Sequence, residues 1–368
     1  MKISFIATNE YAPWGASEEL WSQTAMRMAK QGLTVSANVK GWKNEAKQIS
    51  CLENSGCIVV RRNKNRIQKL ISKFFPHRNF SFLDQHCPEL VIISQAHNHD
   101  GLPWIEACIA RNIPFVTIAH NASAESLWPC DDAAIRLAKA YPQAEQCFFI
   151  SHANLTLTEK QLAVELKNAK VIANPLNVSY DIKIPWPAEN KTLKLACVGR
   201  LEPWQKGQDL LFEILRLEKW RSRPIELSLF GTGINQQSLY ELKQLWDLGN
   251  VTFSGFVDNV KSIWEDHHAL ILSSRFEAGP IVLVEAMLCA RPCIATNVGL
   301  VPELIQDGVN GFVAIAPTVE YLDDAMERAW QKRDLWEQIG RSAAIDIRKV
   351  IPRDPIEVFV NDLKSLLK

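Results

Sequence analysis

Thirteen short apolar runs, rich in β-branched residues and each followed by a stretch with helical spacing, recur along this chain. Seven lie in the first half: KISFIA (2–7), LTVSANV (33–39), CIVV (57–60), ELVIIS (89–94), PFVTIA (114–119), QCFFIS (146–151) and VIA (171–173). Six lie in the second: LKLACV (193–198), IELSLF (225–230), NVTFSG (250–255), ALILSS (269–274), PCIAT (292–296) and GFVAI (311–315). Strands alternating with helices of about 8 to 16 residues are the signature of parallel sheets covered on both faces. The expected fold class is α/β: two Rossmann-like, doubly wound domains facing a cleft. Ligands are then expected outside the carboxyl ends of the strands.

At 368 residues the chain is too long for one ordinary domain. Asn174-Pro175-Leu176-Asn177 and then Pro185-Trp186-Pro187 interrupt the periodicity and supply the best linker. The expected domains are residues 1–178 and 179–350, with a terminal helix at 351–368 packing back towards the first. Forty-one basic residues balance forty-one acidic ones, which argues against a nucleic-acid binder driven by net charge. The balance is uneven: residues 1–180 hold nineteen Lys/Arg against fifteen Asp/Glu. No apolar run approaches a membrane span, and the polar Thr8-Asn9-Glu10 after the first strand argues against a secretory signal. Nine cysteines without a Cys-x-x-Cys pair read as reduced thiols of a cytoplasmic protein.

Two loops carry chemistry. In VGRLEPWQKGQDLL (198–211), Gly199 turns off a strand, and Arg200 and Lys206 flank a loop entering a helix near Gly207. Two cations beside a helix N-terminus suit a diphosphate, though such a pair is also compatible with solvated surface charge. In SSRFEAGPIVLVEAMLCARP (273–292), Glu277 precedes a helix starting at Pro280, near the N–H groups of Ala278, Gly279 and Ile281. Glu285 lies inside that helix among apolar neighbours, so its carboxylate needs a partner: a salt bridge, or the hydroxyls of a sugar or ribose diol. His97-Asn98-His99-Asp100 reads as a loop after a strand, with metal ligation the weaker reading because no partner cluster exists. Neither half has G-x-G-x-x-G after its first strand, which counts against a nicotinamide dehydrogenase.

Together GR-L-x4-KG (199–207), E-x7-E (277–285), IANP (172–175), FGTG (230–233), SGFV (254–257) and VGLVPELIQDGVNGFV (298–313) resemble the retaining nucleotide-sugar glycosyltransferases of family four, whose two-domain fold is called GT-B. The opening loop NEYAPWGASEELW (9–21) looks like that family's glycine-rich loop; many relatives have two adjacent glycines where this chain has Gly15-Ala16. The resemblance implies that residues 1–178 form the acceptor-side domain and 179–350 the nucleotide-sugar-binding domain, in which Arg200 and Lys206 hold the donor diphosphate, Glu285 the ribose and Glu277 the sugar hydroxyls. Gly231, Gly233 and the Phe256-Val257 backbone would surround the base and phosphates, and His120 would stand near the donor sugar; a strand-end histidine is otherwise a structural residue. Glu303 matches a family Glu that could equally offset a helix dipole.

The implied reaction is transfer of a hexose-type sugar, with retention, from a UDP or GDP sugar to a glycan or lipid-linked acceptor such as lipopolysaccharide. Glu277 and Glu285 are then not a glycosidase acid/base pair. Two cations already serve the diphosphate and no Asp-x-Asp occurs, so no metal or other cofactor is expected. A sugar phosphorylase or disaccharide-phosphate synthase of the same fold, or a non-catalytic sugar-nucleotide binder, are the competing readings. Residues 61–78, RRNKNRIQKLISKFFPHR, carry seven Lys/Arg and no acid, with Ile67, Leu70, Ile71 and Phe74 on one helical face. They read as a helix docking on an anionic membrane, which would put the enzyme on the inner face of the cytoplasmic membrane, or as an amphipathic helix packed on the first sheet.

Overall fold

Each of the thirteen apolar runs contributes a strand in the computed structural model, which describes residues 1–62, 80–123, 128–188 and 192–367. The chain divides into two units, Met1–Pro175 with Asp354–Lys368, and Leu176–Arg353. In the first, β1 (Lys2–Ala7), β2 (Thr34–Lys40), β3 (Ile58–Arg62), β4 (Leu90–Gln95), β5 (Phe115–Ala119), β6 (Gln146–Phe149) and β7 (Ala169–Val171) form one parallel sheet, ordered β3-β2-β1-β4-β5-β6-β7. The last strand starts two residues before the expected run. It pairs with the short β6 from Cys147↔Ala169 to Phe149↔Val171, and β6 ends there.

The helix Pro355–Ser365 packs within this unit against Ala16–Lys30: Arg27 pairs with Asp354 (2.6 Å) and Glu357 (3.3 Å). Lys170 pairs with Asp362, and Phe148 meets Phe359 edge-on at 5.0 Å. In the second unit β8 (Leu193–Val198), β9 (Ile225–Phe230), β10 (Val251–Gly255), β11 (Ala269–Leu272), β12 (Cys293–Thr296) and β13 (Phe312–Ala314) are also parallel, ordered β10-β9-β8-β11-β12-β13.

Period-two alternation divides the second unit's core between the two faces of its sheet. Leu195, Cys197 and Ile271 pack with the helices Gln208–Leu215 and Val319–Gln331, while Ala196, Leu270 and Leu272 pack with Ile281–Leu288 and Trp336–Val350. A core covered on both faces explains why these strands are apolar at successive positions. Several helices are shorter than expected, including the four-residue Pro203–Lys206, Glu218–Arg221 and Val301–Leu304. All nine cysteines are free thiols, and among the described residues no helix is long and apolar enough to cross a membrane.

Only the first two residues of the basic segment 61–78 fall among the described residues, and both belong to β3. Arg61 pairs with Glu45 (2.7 Å) and Glu53 (2.8 Å), and Arg62 donates to the carbonyls of Ala7 (2.6 Å) and Asn38 (2.9 Å). The expected helix with Ile67, Leu70, Ile71 and Phe74 lies outside the described residues.

Candidate functional site

In the strand order of the second unit, β8 and β11 are neighbours whose connections leave to opposite sides. Such a switch point opens a crevice at the carboxyl ends of the two strands. The loops after β8 and β11 place Lys206 and Glu277 there, and Lys206 Nζ forms an ion pair with Glu277 Oε1. Their side chains are only 18% and 9% exposed, so this is no solvated surface pair. Ser274 Oγ donates to the same carboxylate oxygen at 2.8 Å. The carboxylate, expected beside the N–H groups of the following helix, thus draws a cation and a hydroxyl.

Arg200 stays half exposed, 3.3 Å from Glu202 and bonded to Gln205 Oε1 at 2.7 Å. Lys206 ends the turn Pro203–Lys206, and Gly207 links it at φ 65° to the helix Gln208–Leu215, so that helix begins one residue after Gly207. A Cβ on Gly207 would lie 2.0 Å from the carbonyl oxygen of Ser273, so the two loops touch backbone to backbone. A Cβ on Gly231, at φ 128°, would lie equally close to Gly199 O, and one on Gly233 would meet the Leu201 backbone. The loop after β9 is thereby drawn onto the loop that carries Arg200.

Phe256 follows β10 and is 71% exposed, while Val257 packs against the core. Ala278, Gly279 and Pro280 lead into the helix Ile281–Leu288; Pro280 caps it rather than beginning it. Glu285, in the second turn, is buried. Its partner is Asn177, whose amide donates at 2.7 Å, and burial raises its pKa to about 7. Among the described residues no Lys or Arg lies within ion-pair distance, so the salt-bridge reading fails for Glu285. Glu303 lies on the exposed side of Val301–Leu304.

The first unit brings its own residues to the carboxyl edge of its sheet. Thr8 N–H donates to Ser94 O (2.9 Å), joining the ends of β1 and β4. Gly15 starts the helix Ala16–Lys30, whose Glu18 is buried, receives Ser17 Oγ at 2.7 Å and has its pKa raised by burial to about 7. His120 follows β5, with its Nε2 3.1 Å from Ser94 Oγ. Burial pushes its pKa down to about 3, so near neutral pH the ring is uncharged. His97 stacks on His99 (5.9 Å) and meets Tyr11 edge-on (5.3 Å). Asp100 accepts the His97 N–H at 2.9 Å. Among the described residues no group of three or more His, Cys, Asp and Glu side chains is placed to hold a metal ion, His97–Asp100 included.

Sequence reasoning missed Asn177, Ser274 and Ser94, which hold Glu285, Glu277 and His120, and also Glu18. The signal for Asn177 was present in Asn174-Pro175-Leu176-Asn177, but it read only as a linker.

Residues 192–332 match the family model described as glycosyl transferases group 1. A Klebsiella pneumoniae protein described as an uncharacterized 41.2 kDa protein in a cps region is 28% identical over 183 residues, 48% of either chain. The chain therefore spans about half the length of that curated relative. Among solved structures, Anabaena HepE in complex with UDP and glucose superposes with a TM-score of 0.78 at 20% identity over 99% of both chains. A lipopolysaccharide outer core galactosyltransferase, WaaB in its apo form, gives 0.70 at 19% identity, again over 99% of both. These likenesses show the fold, which is GT-B.

Proposed function

We propose, from the match of residues 192–332 to the glycosyl transferases group 1, that the chain moves a hexose-type sugar, with retention of configuration, from a nucleotide-diphosphate sugar to a glycan or lipid-linked acceptor. The observation that carries this reading is the Lys206–Glu277 pair at the β8–β11 switch point, with Arg200 half exposed on the same loop. HepE, of like fold, is described with bound UDP and glucose, and WaaB as a lipopolysaccharide galactosyltransferase, which supports a UDP sugar and a surface glycan as the classes to try first.

Breaking the anomeric bond leaves positive charge on the sugar and adds negative charge to the departing diphosphate. Lys206 has three N–H donors, so it can keep Glu277 and still offer donors to phosphate oxygens. Arg200 adds a second cation, and fixed positive charge at the leaving group lowers the barrier without reorganisation. Glu277, oriented by Ser274 and Lys206, accepts hydrogen bonds from sugar hydroxyls. Glu285, with Asn177 beside it, is suited to the ribose diol. Being uncharged, His120 would engage a sugar hydroxyl by hydrogen bonding and not by charge. With two cations on the diphosphate, the reaction is proposed to need no metal.

Calorimetric titration with UDP, GDP and ADP tests the site. Arg200→Ala and Lys206→Ala should each weaken donor turnover by about 2–4 kcal/mol of transition-state stabilisation. Their effects on stability should differ. Arg200 is half exposed and its loss should be nearly neutral, whereas removing Lys206 strands the poorly exposed Glu277 at a cost of about 1–3 kcal/mol. Wild-type binding and turnover in both variants would sink the assignment.

The basic segment 61–78 is proposed to dock the enzyme on anionic membrane at the cytoplasmic face. Since Arg61 and Arg62 are engaged within β3, the contact would fall to Lys64, Arg66, Lys69, Lys73 and Arg78. Liposome co-sedimentation should rise with anionic lipid, fall with salt, and drop when Lys64, Arg66 and Lys69 become Glu. Indifference to lipid charge points instead to a soluble acceptor.

A further inference from the structure

The Lys206–Glu277 pair joins side chains 71 positions apart, and its geometry depends on two loops keeping register. The sheet supplies little of that register. β8 and β11 are matched at Ala269↔Leu195 and Leu270↔Ala196, well below the loops. Above those pairs the loops are held by Arg275, two positions before Glu277. Its main-chain N–H donates to Gln205 O at 2.7 Å and its Nη1 to Pro203 O at 2.5 Å. The guanidinium also grips Asp209 in bidentate fashion, Nη1 to Oδ1 at 2.8 Å and Nη2 to Oδ2 at 2.7 Å. Ser273 Oγ adds a bond to Lys206 O at 2.8 Å. Residues 203, 205 and 209, on either side of Lys206, are thus all tied to one side of the Glu277 loop.

We propose that Arg275 is a positioning residue for the donor site, fixing Lys206 and Glu277 in one geometry. The inference rests on the reading that those two residues hold the donor; Arg275 itself acts through them. A planar fork that reaches a carboxylate and a carbonyl at once is a property of arginine and not of lysine, and the partly buried pair is shielded from full solvent screening. A displacement of about one ångström at such a site is enough to cost much of the rate.

The test compares Arg275→Met, Arg275→Lys, Lys206→Met and the double variant Arg275→Met/Lys206→Met. Two readouts are taken on samples shown to be folded: turnover of a UDP-hexose, and the rate at which acetic anhydride modifies Lys206, followed by mass spectrometry. Arg275→Met should lower turnover on the order of 100-fold, and Arg275→Lys should recover no more than about tenfold of it. Adding Arg275→Met to Lys206→Met should cost clearly less than Arg275→Met costs alone, because one of the two residues it positions is already gone. Lys206 modification should speed up several-fold, by about threefold or more, once the clamp is gone. Unchanged turnover and unchanged Lys206 modification in folded Arg275→Met overturn the proposal, as do fully additive losses in the double variant. If Arg275→Met does not fold, Asp209→Asn, which leaves the bond to Pro203, is read by the same two criteria. Should the wild type turn over no nucleotide sugar, the donor reading fails, while the Lys206 modification rates still decide whether Arg275 holds that lysine.

Discussion

Glu285 is 3% exposed, has one amide donor in Asn177, and has no cation within ion-pair distance among the described residues. Burial holds its proton up to about pH 7, whereas an unfolded glutamic acid releases it near 4.5. Between those values the native state binds the extra proton, so this group makes stability fall as pH rises from 4.5 to about 7, and its cost is fully present above that. Glu285→Gln keeps an acceptor for Asn177 and never ionises. It should therefore be more stable than wild type at about pH 8, by about 2–3 kcal/mol, with the difference vanishing near pH 4.5. Urea titrations at about pH 5 and about pH 8 measure it; an equal difference at both would show that Glu285 does not titrate as stated. The same variant should bind nucleotide more weakly if the carboxyl meets ribose hydroxyls. A buried acid among apolar residues was legible in the sequence as a group needing a partner. Which partner it has was not, because Asn177 lies 108 positions away and no local spacing connects the two.

At the scale of elements, the parallel strands were legible because burial on both faces leaves a continuous apolar signature. Four-residue turns such as Pro203–Lys206 were not, since one helical turn has no period to detect. Yet that turn, with Gly207 behind it, sets where Lys206 points. Gly207→Ala would put a Cβ 2.0 Å from Ser273 O at a positive φ and force the two loops apart. It should cost about 2–4 kcal/mol and reduce donor turnover along with stability. Gly249, where an added methyl would meet nothing within 4 Å, is the control, and Gly249→Ala should stay within about 0.5 kcal/mol. Similar losses at both positions would mean that close loop packing is not what Gly207 provides.

For the molecule as a whole, two sheets of the same winding order arise from one repeated pattern, and their carboxyl edges collect the residues singled out by motif: Gly15 and His120 in one unit, Arg200, Lys206, Glu277 and Glu285 in the other. Motif spacing identified those positions through a resemblance, but the hydrogen-bond partners that orient them come from folding and were invisible beforehand. The proposed reaction requires that the second unit bind a nucleotide-diphosphate sugar at the β8–β11 switch point and that its cations assist departure of the diphosphate. Proton NMR of the protein incubated with UDP-hexoses, alone and with glycan acceptors, observes nucleotide release and the anomeric configuration of the product together. Slow UDP release without acceptor, faster release with it, a product of retained configuration, and loss of all three signals in Arg200→Ala/Lys206→Ala are expected. No turnover with UDP, GDP or ADP sugars, or full activity in the double variant, would rule out this donor site.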